Sequence, residues 1–261
     1  MNKIHHSAII SPKAKIFNNV KVGPYCTIGE NVTINEGSEL ISHVNISGNT
    51  TIGMNNLFYP FSSIGSIPQD LKYQGEKSKL IIKNENIFRE HVTINTGTEG
   101  GGMLTKIGNK CLLMVGVHIA HDCEINNNVI FANNATLAGH VRIDDNSIIG
   151  GLSAIHQFVR IGKFAMIGGM SGVEQDIIPY GLYMGIRSRL RGLNVIGLKR
   201  KGLSSQEISN IKKIYLNIFD NKNTIDKNIK DLENTKLTEI DEIINFIKEK
   251  SSRGMCTPEN G

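Results

Sequence analysis

Every sixth residue from Ile4 to Ile64 is large and apolar: Ile4, Ile10, Ile16, Val22, Ile28, Ile34, Leu40, Ile46, Ile52, Phe58 and Ile64. The phase resumes at Ile82, Phe88 and Ile94, slips by one across a Gly-rich stretch from Gly97 to Lys106, and runs unbroken from Ile107 to Val173, giving twenty-six hexads. Four places beyond each large residue stands a small one, as at Ala8, Ala14, Val20, Cys26 and Val32 and again at Cys111, Val117, Cys123, Val129, Ala135 and Val141. An α-helix repeats at about 3.6 residues and a free strand at 2, so a period of six requires short strands separated by regular corners. Gly recurs one place beyond the apolar residue (Gly23, Gly29, Gly53, Gly65) and Asn at the fourth place (Asn19, Asn31, Asn49, Asn55), and both types tolerate tight corners and positive φ. Three hexads make one eighteen-residue triangular coil, and coils stack as parallel strands about 4.8 Å apart. Twenty-six sides fill between eight and nine coils.

After Val173 the period ends, and Ile178-Pro179-Tyr180-Gly181 marks the change. Ser204 with Glu207 is a capping-box signature, followed by Ile208, Ile211, Ile214, Tyr215 and Ile218 at helical spacing. Weaker helical patterns cover Ile225 to Leu232 and Glu239 to Ile247, and the tail from Ser251 to Gly261 is expected to fray. The predicted organisation is mainly β: a parallel β-helix over 1–185 with inserts near 65–81 and 97–106, then a basic connector and a small α-helical C-terminal domain over 186–261.

Composition removes several classes. The 261 residues are 39% hydrophobic, enough for a core, so a disordered chain is excluded. No apolar stretch near Met1 resembles a signal sequence and no run approaches the roughly 18 residues of a membrane helix. Cys26, Cys111, Cys123 and Cys256 show neither framework spacing nor a CxxC pair, so the expectation is a cytoplasmic protein without membrane insertion. The net charge is +5, yet Ile186 to Lys201 alone carries +6 through Arg187, Arg189, Arg191, Lys199, Arg200 and Lys201. A balanced chain with one basic segment points away from nucleic acid and toward a local anion-recognising surface.

The eighteen-residue register places chemistry. Asp122 and His140 fall on successive coils in one column, and His121, Gly139 and Gln157 in the adjacent column, with His118 at the preceding side. His121 and His140 occupy the third and fourth places of their hexads, so both should leave the core. A carboxylate beside an imidazole can fix its tautomer and make it a general base near neutral pH. Neighbours along a strand diverge, but at a corner Asp122 and His121 can converge.

The hexad pattern resembles that of the hexapeptide-repeat acyltransferases, and the resemblance implies a left-handed coil. More specific motifs are His118-Ile119-Ala120-His121-Asp122-Cys123, Ala138-Gly139-His140, His156-Gln157-Phe158, Gln69-Asp70-Leu71-Lys72-Tyr73 and Gly197-Leu198-Lys199-Arg200. These resemble the bacterial UDP-N-acetylglucosamine O-acyltransferase family of lipid A synthesis over essentially the whole chain. The resemblance implies that an (R)-3-hydroxyacyl chain passes from a phosphopantetheine thioester on acyl carrier protein to the 3-position of UDP-N-acetylglucosamine, without a cofactor or metal of the enzyme's own. It implies His121 as general base, Asp122 as its partner and the Gly139 N–H as oxyanion donor. Gln69, Asp70, Lys72, His118, His140, Gln157, Asn194 and Arg200 would hold the nucleotide sugar, Gly169 would set acyl-chain length, and Arg187, Arg189, Arg191, Lys199 and Lys201 would dock the acidic carrier. It further implies a homotrimer with active sites between subunits. Asn95, in Thr93-Ile94-Asn95-Thr96-Gly97, departs from a pattern that often has His followed by Arg, and Ile196 replaces a polar residue.

Three other readings compete. A related N-acyltransferase needs an additional N-terminal domain, for which hexads beginning at Ile4 leave no space. A zinc enzyme of the β-helical carbonic-anhydrase type could use His118, His121 and His140, but Cys123 sits at an inward place and reads as core. A non-catalytic scaffold leaves the His/Asp/Gln cluster without a role. Within the acyltransferase reading, a sugar bearing a 3-amino group would give an amide in place of an ester.

Overall fold

The computed structural model describes residues 1–186, 189–220, 222–230, 232 and 237–258. Twenty-six short strands, from Lys3–Ile4 to Gly172–Val173, pair only in parallel and lie on three faces of a triangular prism. The first face starts at Lys3–Ile4, the second at Ile9–Ile10 and the third at Lys15–Ile16. Register is eighteen residues where the repeat is unbroken, as in Ile4↔Val22 and Ile119↔Leu137. It widens to thirty at Leu57↔Ile87 and to twenty-five at Lys79↔Leu104, where the two inserts leave the prism. With the helices that follow, this is a left-handed parallel β-helix closed by a small α-helical domain.

The apolar first place of each hexad fills the prism axis. Ile46, Ile52, Ile64, Ile94, Ile119 and Leu137 are wholly buried, and Phe58 stacks on Phe88 with ring centroids 4.6 Å apart. The small fifth-place residues are buried beside them, including Cys26, Cys111 and Cys123, as their spacing predicts. Corners turn at the fourth place through left-handed backbone, with φ of 58° at Asn19, 58° at Asp122 and 61° at His140. Asn31 and Asn49 do not follow: neither has positive φ, and Asn49 already belongs to the strand Asn49–Ile52. Most glycines one place beyond the apolar residue serve close approach instead of positive φ; a Cβ on Gly23 would collide with the carbonyl of Ile41 in the next coil.

The connector expected after residue 186 is folded. Gly181–Met184 joins the first face through Met166↔Leu182 and forms an antiparallel pair with Arg189–Leu193. Helix α1 (Val195–Arg200) follows, then α2 (Ser205–Ile218), whose capping box uses both Ser204 and Glu207 as predicted. Helices α3 (Ile225–Lys230) and α4 (Thr238–Lys248) complete the domain. Glu242 of α4 meets both Lys163 and Tyr180 of the prism, and Arg160 binds buried Asp176 at 2.8 Å and Glu249 at 2.9 Å. The tail is tied down rather than frayed as far as Pro258: Met255 bridges to Asp176 and Pro258 to Leu190. Among the described residues no helix is long and apolar enough to cross a membrane.

Candidate active site

Corner geometry brings His121 and Asp122 together. The left-handed φ at Asp122 swings its carboxylate back toward the preceding residue, and Oδ2 lies 2.8 Å from His121 Nδ1. Because an ionised carboxylate only accepts, the Nδ1–H is the donor, and in the neutral form of the ring the lone pair is on Nε2. The Asp122 side chain is fully buried, while that of His121 is 14% exposed.

Sequence reasoning missed what secures this carboxylate. Thr98 donates its backbone N–H to both Asp122 oxygens at 2.9 and 3.0 Å and its hydroxyl to Oδ2 at 2.6 Å. Thr105 Oγ1 accepts the Asp122 N–H at 2.8 Å. Thr98 lies in the Gly-rich insert, which folds over the carboxylate so closely that a Cβ on Gly101 would overlap Asp122. The only sequence signal was the interruption of the hexad itself.

The predicted column is present. A Cβ on Gly139 would stand 2.5 Å from His121 Cε1 and 2.7 Å from Nε2, so Gly139 lies directly against the Cε1–Nε2 edge of the ring. Ladder bonds run from Ala138 N–H to Ile155 O and from Phe158 N–H to Gly139 O, leaving the Gly139 N–H outside the ladder among the described residues. Gln157 is exposed one coil above. His140 packs edge-on to His121 with centroids 5.0 Å apart and stacks on Phe158 at 4.4 Å. Burial lowers the His140 pKa; the charges of Asp122 and Asp70 oppose this, and His121 adds to it. His118 Nδ1 bonds to Thr93 Oγ1 at 2.7 Å, and burial first, then His121, lowers its pKa.

Asp70 lies in the other insert, where it turns the chain by accepting from Lys72 N–H at 2.9 Å. Gln69 and Lys72 are exposed on that insert. On the second face, a trough of about 500 Å³ between His118 and Glu174 is floored by Ala120, Ala138, Ala154 and Gly172. Gly169 lies at the opposite corner of that face, above Gly151.

Within one chain the structure does not gather the remaining residues here. Asn194 and Arg200 line a separate cavity of about 850 Å³ on the first face, with Phe164, Met166 and Ile196. Asn194 also caps α1, its Oδ1 accepting from Gly197 N–H at 3.0 Å and its Nδ2 donating to Phe164 O at 2.8 Å. Arg189, Arg191 and Lys199 are exposed. Lys201 departs from the expected docking strip: its Nζ turns inward to Glu239 at 2.7 Å and Tyr180 Oη at 3.1 Å, joining the helical domain to the prism. Arg187 lies outside the described residues.

Two imidazoles and a carboxylate from His121, Asp122 and His140 come within 4.8 Å, the spacing of a metal site. His118 is outside this group, contrary to the three-histidine zinc reading. Both Asp122 oxygens are already taken by Thr98 and His121, so the carboxylate is a poor ligand.

Comparison with known proteins fits this geometry. Residues 176–256 match the model of UDP-N-acetylglucosamine O-acyltransferase, domain 2, and residues 104–139 match the bacterial transferase hexapeptide model of six repeats. The chain is 50% identical over 258 residues to an acyl-[acyl-carrier-protein]–UDP-N-acetylglucosamine O-acyltransferase of Thermodesulfovibrio yellowstonii, covering 98% of this chain and 100% of that one. The chain belongs to the UDP-N-acetylglucosamine O-acyltransferase family. A Rickettsia bellii relative of the same name is also 50% identical, across 99% of this chain and 92% of its own. A crystal structure of UDP-N-acetylglucosamine acyltransferase superposes with a TM-score of 0.94 at 45% identity, covering 99% of this chain and 100% of that one. The Francisella novicida acyltransferase also gives 0.94, at 35% identity and 98% and 95% coverage. Both inserts and the helical domain are thus shared with full-length members of the O-acyltransferase family, and the family does not favour the N-acyl, zinc or scaffold readings.

Proposed function

We propose that this protein transfers an (R)-3-hydroxyacyl chain from acyl carrier protein to the 3-hydroxyl of UDP-N-acetylglucosamine, the reaction that opens lipid A biosynthesis. The observation that carries the reading is the stack of Asp122, His121 and Gly139. His121 Nε2 lies against Gly139, whose N–H is outside the ladder among the described residues, and we infer that one tetrahedral centre contacts both. Nε2 takes the proton of the sugar hydroxyl as its oxygen attacks the thioester carbonyl. Buried Asp122 stabilises the imidazolium through Nδ1–H, and the Gly139 N–H receives the oxyanion. Collapse breaks the C–S bond, and the departing pantetheine sulfur takes the proton from His121. Products are the ester and free carrier thiol, and no metal or redox step enters.

The sugar nucleotide would be held by His118, His140, Gln157, Asp70, Gln69 and Lys72 from one chain, and by Asn194 and Arg200 from a neighbour. The separation of the two cavities on different faces supports this division. Between those faces runs a corner where Tyr25, His43, Phe61 and His91 form an exposed line of rings 5.0 to 5.3 Å apart. Three copies gathered about that corner would bring the second face of each against the first face of the next, a homotrimer with three shared sites. Gly169, at the same corner, leaves space for the acyl chain. Arg189, Arg191 and Lys199 offer the acidic carrier a basic surface, and the cytoplasm supplies both substrates.

The test is transfer by purified protein from a 3-hydroxyacyl carrier to UDP-N-acetylglucosamine and, in parallel, to its 3-amino analogue. Ester formation that His121→Ala abolishes, with the fold retained, supports the reading. Turnover of the amine alone would replace the acceptor, and activity retained in His121→Ala would remove the base.

A further inference from the structure

The cavity of about 850 Å³ on the first face has a volume that suits a nucleotide, and its walls divide by chemistry. Ile130, Ile148, Met166 and Leu193 make an apolar side, to which α1 adds Val195 and Ile196. The cation of the lining is Arg200, exposed at the end of α1. Three amides complete the polar part: Asn128, Asn146 and Asn194. Asn194 is engaged at both ends, with Gly197 N–H and with Phe164 O. Asn128 and Asn146 are not, for neither side chain makes a hydrogen bond within the protein among the described residues. Asn128 is exposed and Asn146 half-buried, so a ligand entering the cavity meets both.

The two residues belong to the corner that joins the third face to the first, where the backbone turns through a left-handed φ of 56° at Asn128 and 61° at Asn146. Asn tolerates such a turn, but the turn alone does not require it. Glu85, Lys110 and Phe164 make it in the same column, with φ of 61°, 56° and 56°. Lower in that column the amide of Asn19 donates to Glu36 of the next coil at 2.9 Å, whereas the two at the cavity keep theirs for solvent or a ligand. Ile130 and Ile148 pair in register, so Asn128 and Asn146, each two places earlier, stand one above the other about 4.8 Å apart. A flat heterocycle needs an apolar face to lie on and polar groups at its edge, and this cavity supplies both. Two amide donors one strand spacing apart match the two ring carbonyls of a uracil, which flank N3 at a similar separation.

We propose that Asn128 and Asn146 are specificity residues for the base of the sugar nucleotide, their Nδ2 groups donating to the two uracil carbonyls while Arg200 takes the diphosphate. The inference rests on the acyl-transfer reading, which supplies a uridine diphosphate sugar. Base recognition is thereby assigned to the prism corner, and the apolar side chains of α1 only enclose the ring.

The experiment measures equilibrium binding of UDP by calorimetry to wild type, Asn128→Gly and Asn146→Gly, with thermal melts as a fold control. Gly keeps the left-handed turn without strain and removes the amide. Each variant is expected to bind UDP about five- to ten-fold more weakly. Titrations with two analogues, one lacking the 4-carbonyl of the base and one lacking the 2-carbonyl, complete a double-mutant cycle. A variant without the amide that faces the missing carbonyl should bind that analogue as tightly as wild type does. Unchanged UDP binding in both variants, or an equal loss for UDP and both analogues, would overturn the proposal. Absence of transfer by a wild type that still binds UDP would overturn the acyl-transfer reading alone, and a wild type that binds no UDP would overturn both.

Discussion

Gly139→Ala tests the site with one methyl group. The residue's backbone is outside the left-handed region, so alanine is conformationally acceptable, and the Gly139 N–H is retained. What changes is space: the new Cβ falls 2.5 Å from His121 Cε1, against an ordinary carbon contact of about 3.5–4.0 Å. The imidazole must retreat by about 1 Å, yet Nδ1 is tethered to a carboxylate that Thr98 holds through both backbone and hydroxyl. A displacement of that size at a base costs on the order of 100-fold in rate, or about 2.7 kcal/mol of barrier. The ring can swing toward solvent, so the stability cost stays near the low end of overpacking, about 1 kcal/mol and a melting shift of about 2–4 °C. Steady-state transfer at saturating substrates, beside calorimetry, reads both quantities. A variant with kcat within three-fold of wild type would refute the argument that the ring's position against Gly139 governs catalysis.

Other expectations follow from the same geometry. Gly101→Ala should push the insert off Asp122 and reduce kcat more than KM, as measured in the same assay. His118 and His140 have pKa values lowered by burial, so below the ordinary histidine value near 6.5 the unfolded chain binds protons that the folded one refuses. Stability should therefore be full above that pH and decline as pH falls through the window beneath it; melts from pH 7.5 to 5 should show the loss, reduced in His118→Asn. Phe88→Ala removes a fully buried ring stacked on Phe58 and should cost about 3–5 kcal/mol in denaturant titration, with no direct effect on the dyad. Phe61→Glu places a charge on the exposed ring line and should shift sedimentation from the proposed trimer to monomer while leaving far-UV circular dichroism intact; an unchanged sedimentation profile would remove that corner from the interface.

The prism was legible because its code is redundant. Each strand repeats the same inward choice, and a local irregularity such as Asn49 cannot shift the phase of Ile46 and Ile52. The columns of the site were legible for the same reason, since eighteen-residue arithmetic sets Gly139 over His121 without any knowledge of side chains. Contacts made by aperiodic chain were not legible. Thr98 reaches Asp122 from an insert whose path is fixed by its contacts with the prism, and Thr105 reaches it across coils from a hydroxyl no motif singled out. Arg189–Leu193 and α1 read as a connector because short elements packed on a larger body leave weak patterns. Lys201 looked like part of a surface strip because charge counting cannot see Glu239 arriving from α4.

Unequal inserts leave the register unbroken: one adds twelve residues and the other seven to a coil of eighteen, and both leave and rejoin near the same corner as the dyad. Everything above them resumes with its faces unturned, because the hydrogen-bond ladder closes beneath each excursion. His121 and Gly139, the proposed base and oxyanion donor, are therefore spaced by a backbone pitch that loop length does not touch. Such a scaffold separates two kinds of inherited change. Loops can lengthen, shorten and acquire new recognition groups at the rim, whereas gain or loss of one residue inside a strand would misalign the apolar stripe from that point onward. Remodelling the rim is therefore the open route to a new acceptor, and the reaction geometry passes unchanged from one specificity to the next.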